Sequence, residues 1–131
     1  MRYLADTQIV LWALIEPEKL TQQTQYILQN HEILVSQISL FEIAIKQKIG
    51  KLPKLPLSIK SLAEQMEQDN FNFLPITTAH LDAYHAIPLL ENHRDPFDRL
   101  LLAIALSEEI PIISSDENFI CYQELIKLIE N

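Results

Sequence analysis

Apolar residues along this chain fall into two rhythms. Short runs rich in β-branched and aromatic side chains, Arg2 to Asp6, Ile33 to Ser36, Phe73 to Ile76 and Ile112 to Ser114, predict strands, with a weaker fifth near Ile126 to Ile129. Between them, helical spacing predicts helices over Thr7 to Leu14, Thr21 to Gln29, Ile38 to Ile49, Ser58 to Gln68, Thr78 to Ala86 and Pro96 to Glu108. Strands alternating with helices make an α/β protein with a parallel sheet. Gly50 suits a left-handed C-terminal cap on the helix before it, and Lys51 to Pro56 reads as an extended connector, because each proline disfavours helix at the preceding residue. Pro111 separates the last helix from the next strand.

Composition narrows the possible chemistry. The 131 residues suit one domain, 1–131, with a single core. One glycine excludes the glycine-rich phosphate loops of nucleotide-binding proteins. One cysteine, Cys121, excludes an internal disulfide and a multi-cysteine zinc site, and is expected to be a buried or half-buried small apolar residue. His31, His80, His85 and His93 lack the spacing of a helical zinc site; for His93, a hydrogen bond at the entry of the last helix competes with contact to a phosphate. No run approaches the roughly 20 apolar residues of a membrane span, and Asp6 interrupts the N-terminus before a signal-peptide core forms, so a cytoplasmic location is expected. The net charge of −8 argues against a broad basic surface for nucleic acid, unless bound divalent cations reverse the sign locally.

The acids therefore matter by position. Ligands of an open parallel sheet bind beyond the carboxyl ends of its strands, where Asp6 and Asp116 fall. Each is explained equally well as a helix N-cap or turn residue. Glu42 stands on the edge of an apolar stripe of Ile38, Phe41, Ile45 and Ile49, about 40° from Ile38 at 100° per residue, and a carboxylate beside a core needs a cation or a metal. Pairing with Lys46 at i+4 is the competing explanation. Leu40 and Ile43 give that helix a second apolar side for a partner chain. In His93-Arg94-Asp95-Pro96-Phe97-Asp98-Arg99, Asp95 reads as N-cap, Pro96 as the first helical residue and Asp98 as the third, held at the positive end of the helix.

These stretches resemble the PIN-domain ribonucleases, and among them the VapC type of bacterial toxin. The resemblance runs nearly end to end through Tyr3 to Thr7, Val35-Ser36, Ser39 to Lys46, Gly50 to Leu52, His93 to Leu102 and Ser114 to Phe119. It implies a three-layer α/β/α fold around a central, mostly parallel sheet of four or five strands, and Mg²⁺ or Mn²⁺ bound by Asp6, Glu42, Asp98 and Asp116 for hydrolysis of RNA. By the same resemblance Thr7 and Ser114 orient a ligand beside the acids and Asp95 assists Asp98 or merely caps. Phe41 departs from the tryptophan that many relatives carry. Arg94, Arg99, Lys46, Lys48, Lys51 and Lys54 are the basic residues near the motifs, each otherwise a solvated charge or a carboxylate partner. The implied partners are RNA and a small antitoxin. The apolar second side of the Glu42 helix is consistent with a homodimer, and burial within the monomer explains it equally well. Of three other readings, the four acids argue against a non-catalytic PIN-like binding module, Ser114-Ser115 in place of a lysine after the late strand argues against a phosphoacceptor receiver domain, and a DNA nuclease with the same metal chemistry stays open.

Overall fold

The computed structural model describes residues 1–131. Its five strands are β1 (Arg2–Ala5), β2 (Glu32–Ser36), β3 (Phe71–Leu74), β4 (Ile112–Ser114) and β5 (Leu128–Glu130). They form one sheet in the order β3-β2-β1-β4-β5, with every pair parallel. Six helices accompany them: α1 (Thr7–Ile15), α2 (Gln22–Asn30), α3 (Gln37–Lys48), α4 (Ile59–Gln68), α5 (Thr78–Ala83) and α6 (Pro96–Glu108). This is the α/β fold expected from the alternating pattern, with all five strands present. No helix is long and apolar enough to cross a membrane.

The two-residue period of a strand explains how the layers separate. Tyr3, Ala5, Ile33, Val35 and Ile113 point to one face and pack with Ile9 and Val10 of α1, Ile27 of α2, Ile43 of α3 and Leu62 and Met66 of α4. Leu4, Leu34 and Ile112 point to the other, against Leu101 to Ala105 of α6 with Phe119, Tyr122 and Ile126. Both faces of the sheet are covered, so the strands read as apolar runs rather than alternating ones.

Several boundaries moved for local reasons. β3 starts at Phe71, two residues ahead of expectation, because Asn70 takes a left-handed conformation (φ 70°) that ends the preceding turn at once. α5 stops at Ala83 and continues as a 3₁₀ turn over Tyr84–Ala86, ahead of Pro88. β5 lies two residues later than expected, since Ile126 is still hydrogen-bonded back to Tyr122 and faces the core. Gly50 (φ 77°) closes α3 as predicted; its N–H donates to the Gln47 carbonyl and that of Lys51 to the Lys46 carbonyl, a Schellman cap.

Two expectations are corrected. The stripe of Phe41, Ile45 and Ile49 does not face the core: these residues are exposed, and α3 packs inward through Ser39 and Ile43, the side for which a partner chain and the monomer's own core are equal expectations. The physical reason is that both sides are apolar, so periodicity could not choose between them, and Thr7 Oγ1 donating to Ser39 Oγ at 2.9 Å turns the Ser39 side inward. Cys121 is exposed, not buried, because the 3₁₀ helix Glu117–Tyr122 repeats every three residues and buries Phe119 and Tyr122 instead.

Arg99 is neither a solvated charge nor a carboxylate partner, and it does not support the acids. It is buried; its guanidinium donates to the Ile87 carbonyl at 2.9 Å, to the Pro88 carbonyl and to the Tyr84 hydroxyl at 3.1 Å. It fastens the Tyr84 to Pro88 segment to α6. Arg99→Ala, which leaves those acceptors without a donor, is expected to lower stability by about 2–4 kcal/mol in urea unfolding, and Arg99→Lys to recover little, because an ammonium cannot span three separate acceptors.

Candidate metal centre

The chain leaves β1 for β2 and β3 on one side of the sheet and returns to β4 on the other, so the strand order reverses between β1 and β4. Such a reversal opens a crevice at the carboxyl ends of the two strands. Asp6 follows β1 directly, and Asp116 follows β4 after one intervening residue, Ser115. Glu42 and Asp98 reach the same place from α3 and α6. The result is a pocket of about 260 Å³ lined by Asp6, Glu42, Asp98 and Asp116 together with Asp95, Thr7, Gln8, Ser115 and a single cation, Lys46, with no apolar residue. The four acids nominated from sequence thus share one cavity, joined by Asp95.

Each acid is held by a donor that local sequence supplies. Asp6 caps α1, accepting from the Ile9 N–H at 2.9 Å, and it accepts a short hydrogen bond from the Ser114 hydroxyl. The Ser114 oxygen in turn accepts from the Asp116 N–H at 3.0 Å, so one hydroxyl ties the two strand-end acids together. Asp116 itself accepts from the Asn118 N–H at 2.9 Å. Asp95 caps α6, accepting from the N–H groups of Phe97 at 2.8 Å and Asp98 at 3.4 Å. Glu42 pairs with Lys46 at 3.6 Å across one helical turn. Capping and site geometry coincide because both use the positive end of a helix.

His93 is the residue whose part sequence reasoning understated. It is buried; its Nε2 lies 3.2 Å from Asp98 Oδ2 and its Nδ1 2.8 Å from the Tyr122 hydroxyl. In the neutral imidazole an ionised Asp98 requires the proton on Nε2, leaving Nδ1 to accept from Tyr122. Burial pushes the Tyr122 phenol up, consistent with its role as donor. The five-residue spacing of His93 and Asp98 gave a weak signal; the Tyr122 contact spans 29 residues and gave none.

Electrostatics mark the pocket as short of positive charge. Burial is the main reason that Asp6 is raised from 3.8 to about 6, opposed by its bonds from Ser114 and Ile9 and reinforced by Asp98 and Glu42. Asp98 is likewise raised to about 6, first by burial and then by Asp95, with His93 acting against the shift. Single ligand atoms of His93, Asp98 and Asp116 all lie within 4.8 Å of one another. Asp98 and Asp116 offer carboxylate oxygens there and His93 a ring nitrogen, while Asp6 and Glu42 line the same pocket; carboxylate oxygens suit a hard divalent cation, which Asp6, Glu42, Asp98 and Asp116 could hold. The Ser114 hydroxyl braces Asp6, whereas the Thr7 hydroxyl donates to Ser39 and ties α1 to α3 beside the pocket.

A parallel α/β fold with acids gathered at its topological switch places a carboxylate site where ligands of such sheets bind. The chain belongs to the PIN-domain family, whose members are generally nucleases: the PIN-domain sequence model matches residues 3–125. No curated protein matches the chain. Among solved structures it is similar to a chain of VapBC2 from Rickettsia felis, bound to a DNA fragment from their promoter, with a TM-score of 0.74, 16% identity, and coverage of 100% of this chain and 99% of that one. A chain of FitAcB from Neisseria gonorrhoeae gives 0.69 at 16% identity, covering 98% and 96%. A chain of VapBC-5 from Mycobacterium tuberculosis, of the VapBC family of toxin-antitoxin systems, gives 0.61 at 17%, covering 99% and 98%. At such identities the likeness is one of fold.

The raised acids make a signed prediction. Below about pH 4 Asp6 is protonated folded or unfolded; between about 4 and 6 only the folded form keeps its proton; above about 6 both are ionised and the native state bears the whole cost. Metal-free protein should therefore lose stability as pH rises from about 4 to about 6, and Asp6→Asn should remove that component and gain up to about 3 kcal/mol at neutral pH. Urea unfolding in EDTA across this range checks it; a variant with the wild-type slope contradicts the assignment.

Proposed function

We propose that this protein is a metal-dependent endoribonuclease, the toxin of a VapC-type toxin-antitoxin pair, with residues 1–131 forming its single PIN domain. The observation that carries the reading is the meeting of Asp6, Glu42, Asp98 and Asp116 in one pocket without apolar lining. A module that only bound protein would gain nothing from gathering like charges around two acids whose ionisation burial already opposes. A Mg²⁺ or Mn²⁺ ion bound there supplies an acidified water and charge neutralisation for a phosphodiester. Around it the chain has defined tasks. Asp6, Glu42, Asp98 and Asp116 are the ligand set, Ser114 fixes the spacing of Asp6 and Asp116, and His93 with Tyr122 holds Asp98 in place.

The toxin assignment draws support from the similar structures, which are of VapBC and FitAcB. An antitoxin partner and a cytoplasmic setting go with it. A homodimer is proposed on the outward Phe41, Ile45 and Ile49 stripe of α3, with Phe97 beside Phe41 at 5.9 Å between ring centroids.

Purified chain with Mn²⁺ should cleave single-stranded RNA and leave the matched DNA oligonucleotide intact, and EDTA should abolish cleavage. Asp6→Asn and Asp98→Asn should each lower the rate by about a hundredfold or more. Mn²⁺ should also raise the wild-type melting temperature by several degrees and leave that of Asp98→Asn nearly unchanged, a readout independent of turnover. Equal cleavage of DNA would redirect the assignment to a DNA nuclease, and cleavage unaffected by EDTA would remove the metal.

A further inference from the structure

The acid pocket does not end at Lys46. Gln8 and Lys46 also line a second pocket of about 240 Å³, whose wall includes Trp12 and Lys51. That pocket shares Lys51 and Leu52 with a third, of about 210 Å³, which adds Lys54. Three hollows in series therefore run from the carboxylates along α1 and the connector after α3.

The charges along this groove are unusual for a chain of net charge −8. Of its ten basic residues, Arg2, Lys19 and Lys46 are paired with carboxylates, and Arg99 is buried on carbonyls. Lys51 and Lys54 are exposed and make no ion pair. Glu16, the one acid in the second and third pockets, is taken up by Lys19 at 3.2 Å. The lysines also stand on an anchored segment: the Gln47 side-chain amide donates to the carbonyls of Leu55 at 3.0 Å and Leu57 at 2.9 Å, and Leu55 is buried. A loop fixed in this way presents its charges without a large ordering cost.

We infer that the groove from Lys46 through Trp12 to Lys51 and Lys54 is the track for single-stranded nucleic acid flanking the bond to be cut. Lys51 and Lys54 meet backbone phosphates, and Trp12, half-buried in the wall with the Lys19 ammonium 5.6 Å from the centre of its ring, offers the rest of its exposed aromatic surface to a base. Cationic side chains with an interleaved aromatic ring are what a single strand needs for binding without sequence readout. The arrangement also answers the charge problem: phosphates follow a path from the acids that carries free cations, and only the scissile group must approach the carboxylates. The inference rests on the nucleic-acid reading of the site, yet it can fail separately.

The test uses full-length protein and a fluorescein-labelled 2′-O-methyl oligouridylate of about a dozen residues, with Trp12, the only tryptophan, as a second reporter. Wild type should bind, with quenching of Trp12 fluorescence. Lys51→Glu with Lys54→Glu should weaken binding about tenfold and flatten the salt dependence by about 1.4 in the log–log slope, at about 0.7 per lost phosphate contact. Lys51→Gln with Lys54→Gln should show a smaller loss in the same direction. Lys60→Glu with Lys127→Glu, the same change of charge elsewhere, should cost less than threefold, about what altered net charge alone produces. Equal losses in the two glutamate pairs, wild-type affinity in the Lys51/Lys54 pair, or no binding by wild type would overturn the groove; the second result would leave it to a protein segment. Cleavage of RNA in Mn²⁺ separates the two proposals. A strand held by Lys51 and Lys54 but never cut supports the groove and sinks the hydrolase, whereas cutting with unchanged affinity in the Lys51/Lys54 pair does the reverse.

Discussion

Bringing five carboxylates into one small pocket opposes both solvation and Coulomb's law, and much of the local structure is organised around making it tolerable. Asp6 is almost wholly removed from water, an environment that favours the neutral acid. What keeps it in place is a hydroxyl from Ser114 and a backbone N–H from the first turn of α1. Asp98 has the equivalent from His93, itself steadied by Tyr122. These donors hold the acids without neutralising them, so the pocket keeps an unmet demand for positive charge that Lys46 alone does not satisfy.

The parallel sheet makes this gathering possible. Every strand carboxyl end lies on the same edge, and the reversal of order between β1 and β4 leaves room there for α1 and α6 to begin. Three acids then lie at or near helix starts: Asp6 and Asp95 as caps, Asp98 in the first turn of α6. The favourable end of the helix dipole offsets part of the cost of their charge. Arg99, one residue after Asp98, turns the opposite way and locks the incoming segment by three acceptors. Neighbouring residues in one helix thus divide the work, one facing the pocket and one securing the fold behind it.

The same separation of roles accounts for a strongly acidic chain whose proposed substrate is itself an anion. Net charge describes the long-range field, whereas binding is decided where cations remain unpaired. Along the groove leaving the acids, Glu16 is neutralised by Lys19 while Lys51 and Lys54 stay free, so the local sign differs from that of the whole molecule. The proline-rich connector holds them there, with Gln47 as its anchor.

Sequence by itself determined the alternation of strand and helix, the limits of α6 and β4, and the left-handed close of α3 at Gly50. Each is written in short-range signals: β-branched runs, Asp-Pro at a helix start, one glycine at a helix end. The tertiary structure alone decided which side of α3 is inside, because Phe41, Ile45 and Ile49 are as apolar as Leu40 and Ile43, and a helix with two apolar sides has no unique orientation until it meets its neighbours. It alone joined Ser114 to Asp6 across 108 residues and His93 to Tyr122 across 29, and turned Arg99 away from the acids. Such partners leave no periodic trace along the chain: a hydrogen bond between distant residues exists only once packing has brought its donor and acceptor to the same place.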